Sequence, residues 1–429
     1  MTWSESDLVG PENEDWRVPV SELSKRQSQF ADLLALNNIS GALIQNPVDL
    51  YYFSGTRQNS TLYVPASNSS GSIEEGGNGP IQFVRRSLKR AKWESGGSDS
   101  PHILEKFPRM SSFEEKLSSC GVVDMPSLQL NALPYNFVNI FSNKLRGLNS
   151  KNTSITDNSK LIYQLREIKS EWEIDVMKTG AAIQMEMFET VAEIGSRGVS
   201  ELDIAAAAEA ISKSYGFSGN VNIRRYPMQC DRAVVVAGRT GGIPSFFDAA
   251  VGGVGPHPGA SHGAGFNKIK ENEPVLVDLV HVHRGYVVDM TRMFVAGKLS
   301  QEWEERLDVT LDLKDLIIDS LSKGNTCEQV WNESLEYVKE KPGWEEHLMG
   351  MPPDQSKFLG HGVGLELDES PVIASGFSRE LPIGGTMAIE PKFVYSDGCI
   401  GNEDTWVRTT QGVEPITAHA AFPWVHNWD

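Results

Sequence analysis

Cysteine is scarce in this chain, and the spacing of the few that are present excludes a disulfide scaffold. The 429 residues include four cysteines, far apart and without a Cys-x-x-Cys pair. This usage is typical of free thiols in a reducing compartment. We therefore expect a cytoplasmic protein. The cysteines are Cys120, Cys230, Cys327 and Cys399.

Long apolar runs and basic stripes are missing as well. No window approaches about 18 consecutive apolar residues, so we expect no membrane-spanning helix. The first residues lack a basic segment followed by an apolar core, so we expect no signal peptide. The net charge of −18 argues against nucleic acid and anionic membrane surfaces as partners. These absences leave an enzyme or a binding protein for a peptide or small molecule.

Two common enzyme motifs are also absent. The segment Gly253-Val254-Gly255 lacks a third glycine at the required offset, and no Gly-Lys-Ser/Thr triplet is present for a P-loop. Residues 259–263 have a serine between glycines, as in a nucleophile elbow, but prolines precede it and no helix follows. We therefore expect neither a nucleotide-binding enzyme nor a serine hydrolase.

The length of the chain predicts two domains. Strand and helix patterns alternate to about residue 157, which predicts an α/β domain over residues 1–157 and a second domain over residues 158–429. A long helix is expected to open at residues 169–174, and Ser200 and Thr326 are expected to cap two more. Predicted strands of the first domain include residues 39–44, 51–53 and 60–64.

Residues 275–294 read as a hairpin that carries two acids. Apolar runs lead into and out of a turn that contains Gly285. A pivot about positions 283 and 284 places Asp278 directly opposite Asp289, with Cβ atoms about 5 Å apart. Two carboxylates this close require a proton or a cation between them. The pattern also fits a hairpin in another register whose two acids are solvated.

A second hairpin repeats this arrangement nearer the C-terminus. Residues 386–394 read as one strand, a turn follows, and residues 399–409 read as the returning strand. A pivot at positions 396 and 397 places Glu390 opposite Glu403. Two hairpins that each present an acid pair predict a pseudo-twofold antiparallel sheet.

Four carboxylates on two hairpins predict a metal centre, and His361 offers a nitrogen ligand between two glycines. The oxygen-rich set suits two divalent ions, Mn²⁺, Co²⁺, Fe²⁺ or Zn²⁺, better than a structural zinc site. Such a pair generates hydroxide at neutral pH and polarises a carbonyl. A competing pair, His281 and His283, falls on the opposite strand face, so we interpret it as a surface pair or as support behind the ligands. The five candidate ligands are Asp278, Asp289, His361, Glu390 and Glu403.

Four stretches together resemble the pita-bread metallopeptidase family: VLVDLVHVHRGYVVDMTR, FLGHGVGLELDES, AIEPKF and GNEDTWVRT. This family includes methionine aminopeptidase, aminopeptidase P (Xaa-Pro aminopeptidase) and prolidase, and the two-domain layout is similar to the last two. The resemblance implies an α/β (α+β) chain with a creatinase-like N-terminal domain, a pita-bread catalytic domain and a homodimer.

The resemblance also implies roles for individual residues. The five candidates would be the metal ligands, and Glu390 would shuttle the proton of a bridging water. Ser261-His262-Gly263 matches a His-Gly step of the family, so His262 would contact the substrate carbonyl or the tetrahedral intermediate. His257 is the alternative in the same loop.

Two positions depart from the family pattern. Asp368 stands where the family has a second catalytic histidine, which replaces a potential cation with an acid. Gly401 stands where aminopeptidase P relatives have an arginine two residues before the last glutamate. The first departure opens the possibility of proton abstraction by Asp368. The second puts specificity for proline peptides in doubt.

Three functional hypotheses follow. The leading one is a metal-dependent hydrolase resembling Xaa-Pro aminopeptidase or dipeptidase, in which a metal-bridged hydroxide attacks a peptide or amide carbonyl. The second keeps the metal site but uses Asp368 as a base, in an ectoine-type hydrolysis or C–S lysis of dimethylsulfoniopropionate. The third is a non-catalytic binding protein, against which the five intact ligands argue.

Overall fold

The structure is a computed structural model, and it divides the chain into two compact units, residues 1–166 and residues 167–429. Among the residues that it describes, every helix is too short or too polar to span a lipid bilayer. The described residues are 3–11, 14–73, 77–148, 154–226, 228–230, 233–417 and 422–428.

The N-terminal unit is built on a four-stranded sheet. Its strands are β1 (Gly41–Ile44), β2 (Ser60–Pro65), β3 (Ile81–Val84) and β4 (Ile103–Lys106). They lie in sequence order, antiparallel except for β3 and β4, which run parallel. The helices are α1 (Val20–Leu36), α2 (Pro47–Ser54), α3 (Leu88–Glu94), α4 (Phe113–Ser119), α5 (Tyr135–Lys144) and α6 (Ser159–Glu167). This is the α/β unit that the sequence predicted.

Residues 51–53, predicted as a strand, belong to helix α2 instead. The side chain of Asn46 caps this helix by accepting a hydrogen bond from the backbone N–H of Val48 at 2.8 Å. Pro47 stands in the first turn, where its missing N–H has no cost, and Gly55 ends the helix with a φ of 72°. These end signals outweigh the β propensity of three consecutive aromatic residues, so the strand prediction was wrong.

Helix α6 belongs to the N-terminal unit, so the observed division lies C-terminal to the boundary expected at residue 157. Arg166 Nη1 donates to Asp49 Oδ1 at 2.9 Å, and both side chains are 2% exposed. Asn158, just before the helix, donates to Ser127 Oγ at 3.0 Å. Separating α6 from this unit would leave an uncompensated buried charge, which is strongly destabilising.

The C-terminal unit is built on a nine-stranded, curled and mainly antiparallel sheet. Its strands are β5 (Val234–Ala237), β6 (Val275–His283), β7 (Tyr286–Ala296), β8 (Gly360–Gly362), β9 (Glu369–Val372), β10 (Thr386–Ile389), β13 (Glu403–Thr409), β14 (Gly412–Pro415) and β15 (Val425–Trp428). A separate two-stranded ribbon contains β11 (Lys392–Tyr395) and β12 (Gly398–Gly401). The main path runs β5-β6-β7-β13-β10-β8-β9, and β15 runs parallel to β7.

Four α-helices accompany this sheet in the described part of the chain, and three of them begin with a capping box. Ser170, Ser200 and Thr326 each accept a hydrogen bond from the third residue of the helix that follows, in a capping box. The helices are α7 (Glu171–Ile194), α8 (Glu201–Ser214), α9 (Gln301–Ser322) and α10 (Cys327–Lys339).

The sheet is apolar on both faces, and the two acid-bearing hairpins meet at its centre. Along β6, Leu276 packs into one core while Val275 and Val277 pack into the other, as the period of two along a strand requires. Strand β7 pairs with β13, so that Thr291 lies opposite Glu403. This pairing joins the two hairpins into one sheet.

Candidate metal centre

The five predicted ligands line one cavity of about 190 Å³ in the C-terminal unit. Five further polar residues line it as well: Arg225, Asp248, His262, Asp368 and Lys392. The remaining wall is largely apolar and includes Ile223, Met228, Phe247, Phe358, Leu367 and Val372. A largely apolar pocket with a few convergent polar groups is typical of a ligand-binding site.

The first hairpin brings both acids to this cavity in a register that differs from the predicted one. Asp278 lies opposite Thr291, and Asp289 lies opposite Val280. The two carboxylates are therefore diagonal neighbours on one face, and the prediction that they face each other directly was wrong. Because side chains alternate with a period of two, a displacement of two positions leaves both acids on the cavity face.

The turn of this hairpin explains the displacement. Arg284 and Gly285 form a two-residue loop with φ of 47° and 90°. Positive φ at both central residues gives the turn whose twist matches that of the flanking strands. The strands therefore close around positions 284 and 285, one position beyond the pivot that the sequence predicted.

The second hairpin has the register that the sequence predicted. The pairings of β10 with β13 and of β11 with β12 share the register in which Glu390 lies opposite Glu403. Each predicted long strand is nevertheless interrupted at the acids, into β10 and β11 on one side and β12 and β13 on the other. Pro391 follows Glu390 at the break, and it has no backbone N–H to donate to a sheet.

His361 reaches the acids from β8. It lies opposite Ala388 of β10, and its Nε2 is 3.4 Å from Glu390 Oε1. A Cβ at Gly360 would lie 2.5 Å from the carbonyl oxygen of Ala388, and one at Gly362 would lie equally close to another carbonyl oxygen. The glycines on both sides of His361 therefore allow neighbouring backbone to approach closely.

Asp289, His361 and Glu403 form the set that fits a metal ion. Each offers one ligand atom, and the three atoms lie within 4.8 Å of one another. Asp289 Oδ1 is buried and has no hydrogen-bond partner among the described residues. A buried acceptor without a partner is destabilising, and two carboxylates with an imidazole are donors that divalent transition metals accept. The residues present therefore fit a divalent cation at this position.

Lys392 is the residue of the centre that sequence reasoning missed. Its Nζ donates to Asp278 Oδ2 at 3.1 Å, to Glu390 Oε2 at 2.9 Å and to Glu403 Oε2 at 2.7 Å. The side chain is 2% exposed. The available signal was its position two residues after Glu390, which puts both side chains on one strand face.

Gly401, noted as a departure from the family pattern, lies opposite Lys392 in the ribbon. A Cβ at this position would overlap Lys392 Cγ. A side chain at position 401 would therefore clash with the Lys392 side chain and prevent it from reaching the carboxylates. The two residues form a matched pair across the strands.

The buried charges of the centre shift one another's pKa values. Burial raises the pKa of Glu403 to about 8, and burial together with Glu403 raises the pKa of Asp289 well above its usual range. Burial opposes ionisation of Glu390 too, but Lys392 and His361 outweigh it and lower the pKa of Glu390 to about 2. Burial disfavours the charged imidazole of His361, yet Glu390 raises its pKa to about 9. Glu390 is therefore the most acidic of these four groups.

Two threonines hold the acids from behind. Thr291 Oγ1 donates to Glu403 Oε2 at 2.8 Å, across the strand pair that joins the hairpins. The backbone N–H of Asp289 donates to Thr405 Oγ1 at 3.0 Å, and the same hydroxyl donates to the backbone carbonyl of Asp289 at 3.0 Å. Such support orients ligand side chains before a metal ion binds.

His262 lies on the cavity wall, whereas His257 is an exposed loop residue. The Nδ1 of His262 is 2.9 Å from Ser245 Oγ, and its ring stacks on Phe247 with centroids 4.8 Å apart. These contacts fix the orientation of the imidazole beside the carboxylates. His257 Nδ1 accepts a local hydrogen bond from the backbone N–H of Gly259.

Asp368 lines the cavity, but its carboxylate serves a neighbouring loop. Oδ1 accepts from the backbone N–H of Arg224 at 2.6 Å, and Oδ2 accepts from the backbone N–H of Arg225 at 3.1 Å. Hydrogen bonds to both oxygens hold the carboxylate in place. This geometry suits an anchor for residues 224–225.

His281 and His283 take no part in the cavity lining. His281 is fully buried on the opposite sheet face, where its Nδ1 is 2.7 Å from Ser212 Oγ of helix α8. Burial lowers the pKa of His281 to about 4. The surface interpretation of His281 was therefore wrong, while its predicted strand face was right.

Comparison with known families identifies both units. The model of Metallopeptidase family M24 matches residues 175–410, more than half of the chain. The model of the Creatinase/Prolidase N-terminal domain matches residues 26–168.

Similar whole chains are known among both sequences and structures. Xaa-Pro dipeptidases from Pyrococcus horikoshii and Pyrococcus furiosus are 22% and 24% identical over 397 residues, which is 92% of this chain and 97% and 98% of theirs. The structure of an Xaa-Pro dipeptidase from Bacillus anthracis superposes with a TM-score of 0.74 at 19% identity, covering 94% of this chain and 99% of that one. This structural likeness shows that the two chains share a fold over the residues that are covered.

Proposed function

Because the chain belongs to metallopeptidase family M24, we propose that it hydrolyses the peptide bond of a small substrate of the Xaa-Pro class after which its relatives are named. The observation that carries this proposal is the convergence of five ligand-type side chains on one cavity. The apolar part of the cavity wall suits a compact ring such as that of proline.

Asp289, His361 and Glu403 are proposed to hold a divalent ion, with Glu390 and Asp278 beside them. Such an ion would lower the pKa of a bound water and polarise the scissile carbonyl. The carboxylate-rich donor set favours manganese among the candidates Mn²⁺, Co²⁺, Fe²⁺ and Zn²⁺. The family resemblance implies two ions, and the position beside Asp278 is the one that Lys392 contacts.

The chain's own residues are proposed to handle the proton and the substrate. Glu390, adjacent to His361, would accept a proton from the attacking water and pass it to the leaving amine. His262, oriented by Ser245 and Phe247, would donate a hydrogen bond to the carbonyl oxygen as negative charge develops there.

The two alternative functions gain no support from the site. A lyase or an ectoine-type hydrolase would use Asp368 as a base, but both oxygens of this carboxylate accept backbone hydrogen bonds. A binding protein that had lost activity would not be expected to keep five converging ligand-type residues.

A substrate panel with metal reconstitution tests the proposal. The panel contains Xaa-Pro dipeptides, longer Xaa-Pro peptides, ectoine and dimethylsulfoniopropionate, each assayed with Mn²⁺, Co²⁺, Fe²⁺ and Zn²⁺ and with a chelator. We expect metal-dependent hydrolysis of Xaa-Pro peptides and no turnover of the two non-peptides. Turnover confined to the non-peptides would contradict the proposal.

The setting of the enzyme is part of the same proposal. Four buried cysteines that form no disulfide support a reducing, cytoplasmic location. The family resemblance supports a homodimer, which sedimentation velocity of the purified chain would test.

A further inference from the structure

Lys392 already acts as a cation for one side of the carboxylate cluster. Its ammonium group donates to Asp278, Glu390 and Glu403, and three such bonds use every proton that an ammonium carries. Hydrogen bonds between ionised partners are among the strongest in proteins. These carboxylates therefore have a counter-ion that belongs to the chain itself.

On the other side of the cluster, the described residues place no lysine or arginine in an ion pair with Asp289. Asp289 Oδ1 is buried without a hydrogen-bond partner among the described residues, and it belongs to the set that fits a metal ion with His361 and Glu403. Both side-chain hydrogen bonds of Glu403, from Lys392 and Thr291, end on Oε2. Neither of these two bonds uses Oε1. One half of the cluster is neutralised by the chain, and the other half offers ligands.

The position of Lys392 is fixed by the strands. Lys392 opens β11 two residues after Glu390 and donates to it, while Gly401 lies directly opposite and leaves room for the lysine stem. An ammonium group within about 3 Å of these oxygens would repel a divalent ion placed among the same oxygens. A second metal ion beside Asp278 would therefore have to displace Lys392.

We propose that Lys392 takes the place of one of the two metal ions implied by the family resemblance, so that the centre binds a single divalent ion at Asp289, His361 and Glu403. This inference rests on the proposed metal-dependent function and specifies its stoichiometry. The two-ion expectation drawn from the resemblance would then apply to this chain only when Lys392 is removed.

Metal counting on the full-length protein tests the inference without an activity assay. The protein is stripped with a chelator, titrated with MnCl₂ by calorimetry, and analysed for bound manganese by mass spectrometry after desalting. We expect about one equivalent per chain for the wild type and about two for Lys392→Ala. Two equivalents in the wild type, or one in Lys392→Ala, would overturn the inference.

Two further variants guard against misfolding and against general effects of losing a buried lysine. Gly401→Ala keeps the ammonium but obstructs its path, so we expect its manganese content to rise above that of the wild type. Lys169→Ala removes the buried Lys169–Glu369 pair at 2.9 Å, which lies outside the cavity lining, and should retain about one equivalent.

The outcomes also separate this inference from the proposed function. Two equivalents in the wild type would overturn the lysine substitution and leave a metal-dependent peptidase intact. No bound manganese in the wild type under saturating conditions would overturn both. If Lys392→Ala fails to fold, the counts for the wild type and Gly401→Ala decide the matter.

Discussion

The two acid-bearing hairpins of the C-terminal sheet present their carboxylates to one cavity but neutralise them differently. In the first hairpin, β6 and β7 run without interruption, and the basic side chain next along β7, Arg292, pairs with Asp404 at 3.0 Å. In the second hairpin, the strands break at Glu390, and Lys392 turns its ammonium into the cluster. A pseudo-twofold backbone therefore carries a chemically asymmetric centre.

This asymmetry indicates how a family scaffold can change its metal content without changing its fold. The acids of both hairpins occupy one sheet face, so their geometry follows from strand periodicity. The counter-ion depends on two side chains of the ribbon, Lys392 and Gly401. Substitutions at these positions should alter the centre while the sheet stays intact.

The largest effect is expected from removing the histidine that forms a ligand set with one acid of each hairpin. His361→Ala should lose bound metal and reduce kcat/KM for a cleaved peptide by at least about 1,000-fold, or about 4 kcal/mol, because even residues behind metal ligands cost 10- to 100-fold. Steady-state kinetics and metal analysis would measure both. The control, His257→Ala in an exposed loop, should match the wild type. Equal activity in the two variants would show that the hairpins do not form the active centre.

The next effect concerns the counter-ion of the second hairpin. In chelator-treated protein, Lys392→Ala should reduce the free energy of unfolding by about 3 kcal/mol, because it leaves buried carboxylates unpaired. Manganese should restore much of this loss, since a ligand that binds only the folded state stabilises it. Urea denaturation with and without Mn²⁺ would measure both values.

Lys169→Ala provides the matched comparison, because Lys169 is 1% exposed and paired with Glu369 away from the cavity. It should be destabilised by a similar amount, and manganese should change that loss no more than it changes the stability of the wild type. If manganese failed to recover Lys392→Ala preferentially, the ammonium would not be replacing a metal ion.

A smaller effect is expected at the hydrogen bond that joins the hairpins. Thr291→Val removes the hydroxyl that donates to Glu403 at 2.8 Å and should cost about 2 kcal/mol in the free energy of unfolding, because a buried acceptor loses its partner. Thr310→Val, which loses only a bond to a carbonyl of helix α9, should cost less than about 1 kcal/mol. Similar losses of unfolding free energy in both variants would show that the Thr291–Glu403 hydrogen bond contributes no more than an ordinary one.

The smallest effect concerns the turns that set the two registers. Gly285→Ala forces an alanine into a φ of 90° and should destabilise the protein by about 1 kcal/mol. Asp397→Ala, in the other turn at a residue without positive φ among those described, should change stability by less than about 0.5 kcal/mol. Equal free energies of unfolding for the two variants, measured by urea denaturation, would mean that the first turn does not require a residue that tolerates a positive φ.

Sequence periodicity was sufficient to place the acids on a common face, but not to fix both registers. Because the observed pairing differs from the predicted one by two positions, Asp278 and Asp289 stay on one strand face. Ser396 and Asp397 stand out as turn residues, and the register of the second hairpin followed from them. In the first hairpin, three positions could form the turn, and only the backbone shows that Arg284 and Gly285 do so.

The rest of the site depends on contacts between distant parts of the chain. The two backbone amides that hold Asp368 lie about 140 residues earlier in the chain. No local sequence pattern could therefore predict these contacts. Lys392 was visible in the sequence as a neighbour of Glu390. Its role depends on the empty space at Gly401, which only the strand pairing reveals.

An anomalous-diffraction experiment on crystals grown with MnCl₂ tests the asymmetry of the centre most directly. Data collected at the manganese absorption edge should show one peak, bounded by Asp289, His361 and Glu403, with Lys392 Nζ still within hydrogen-bonding distance of Asp278. Two peaks about 3.5 Å apart, with the lysine turned out of the cluster, would contradict the account.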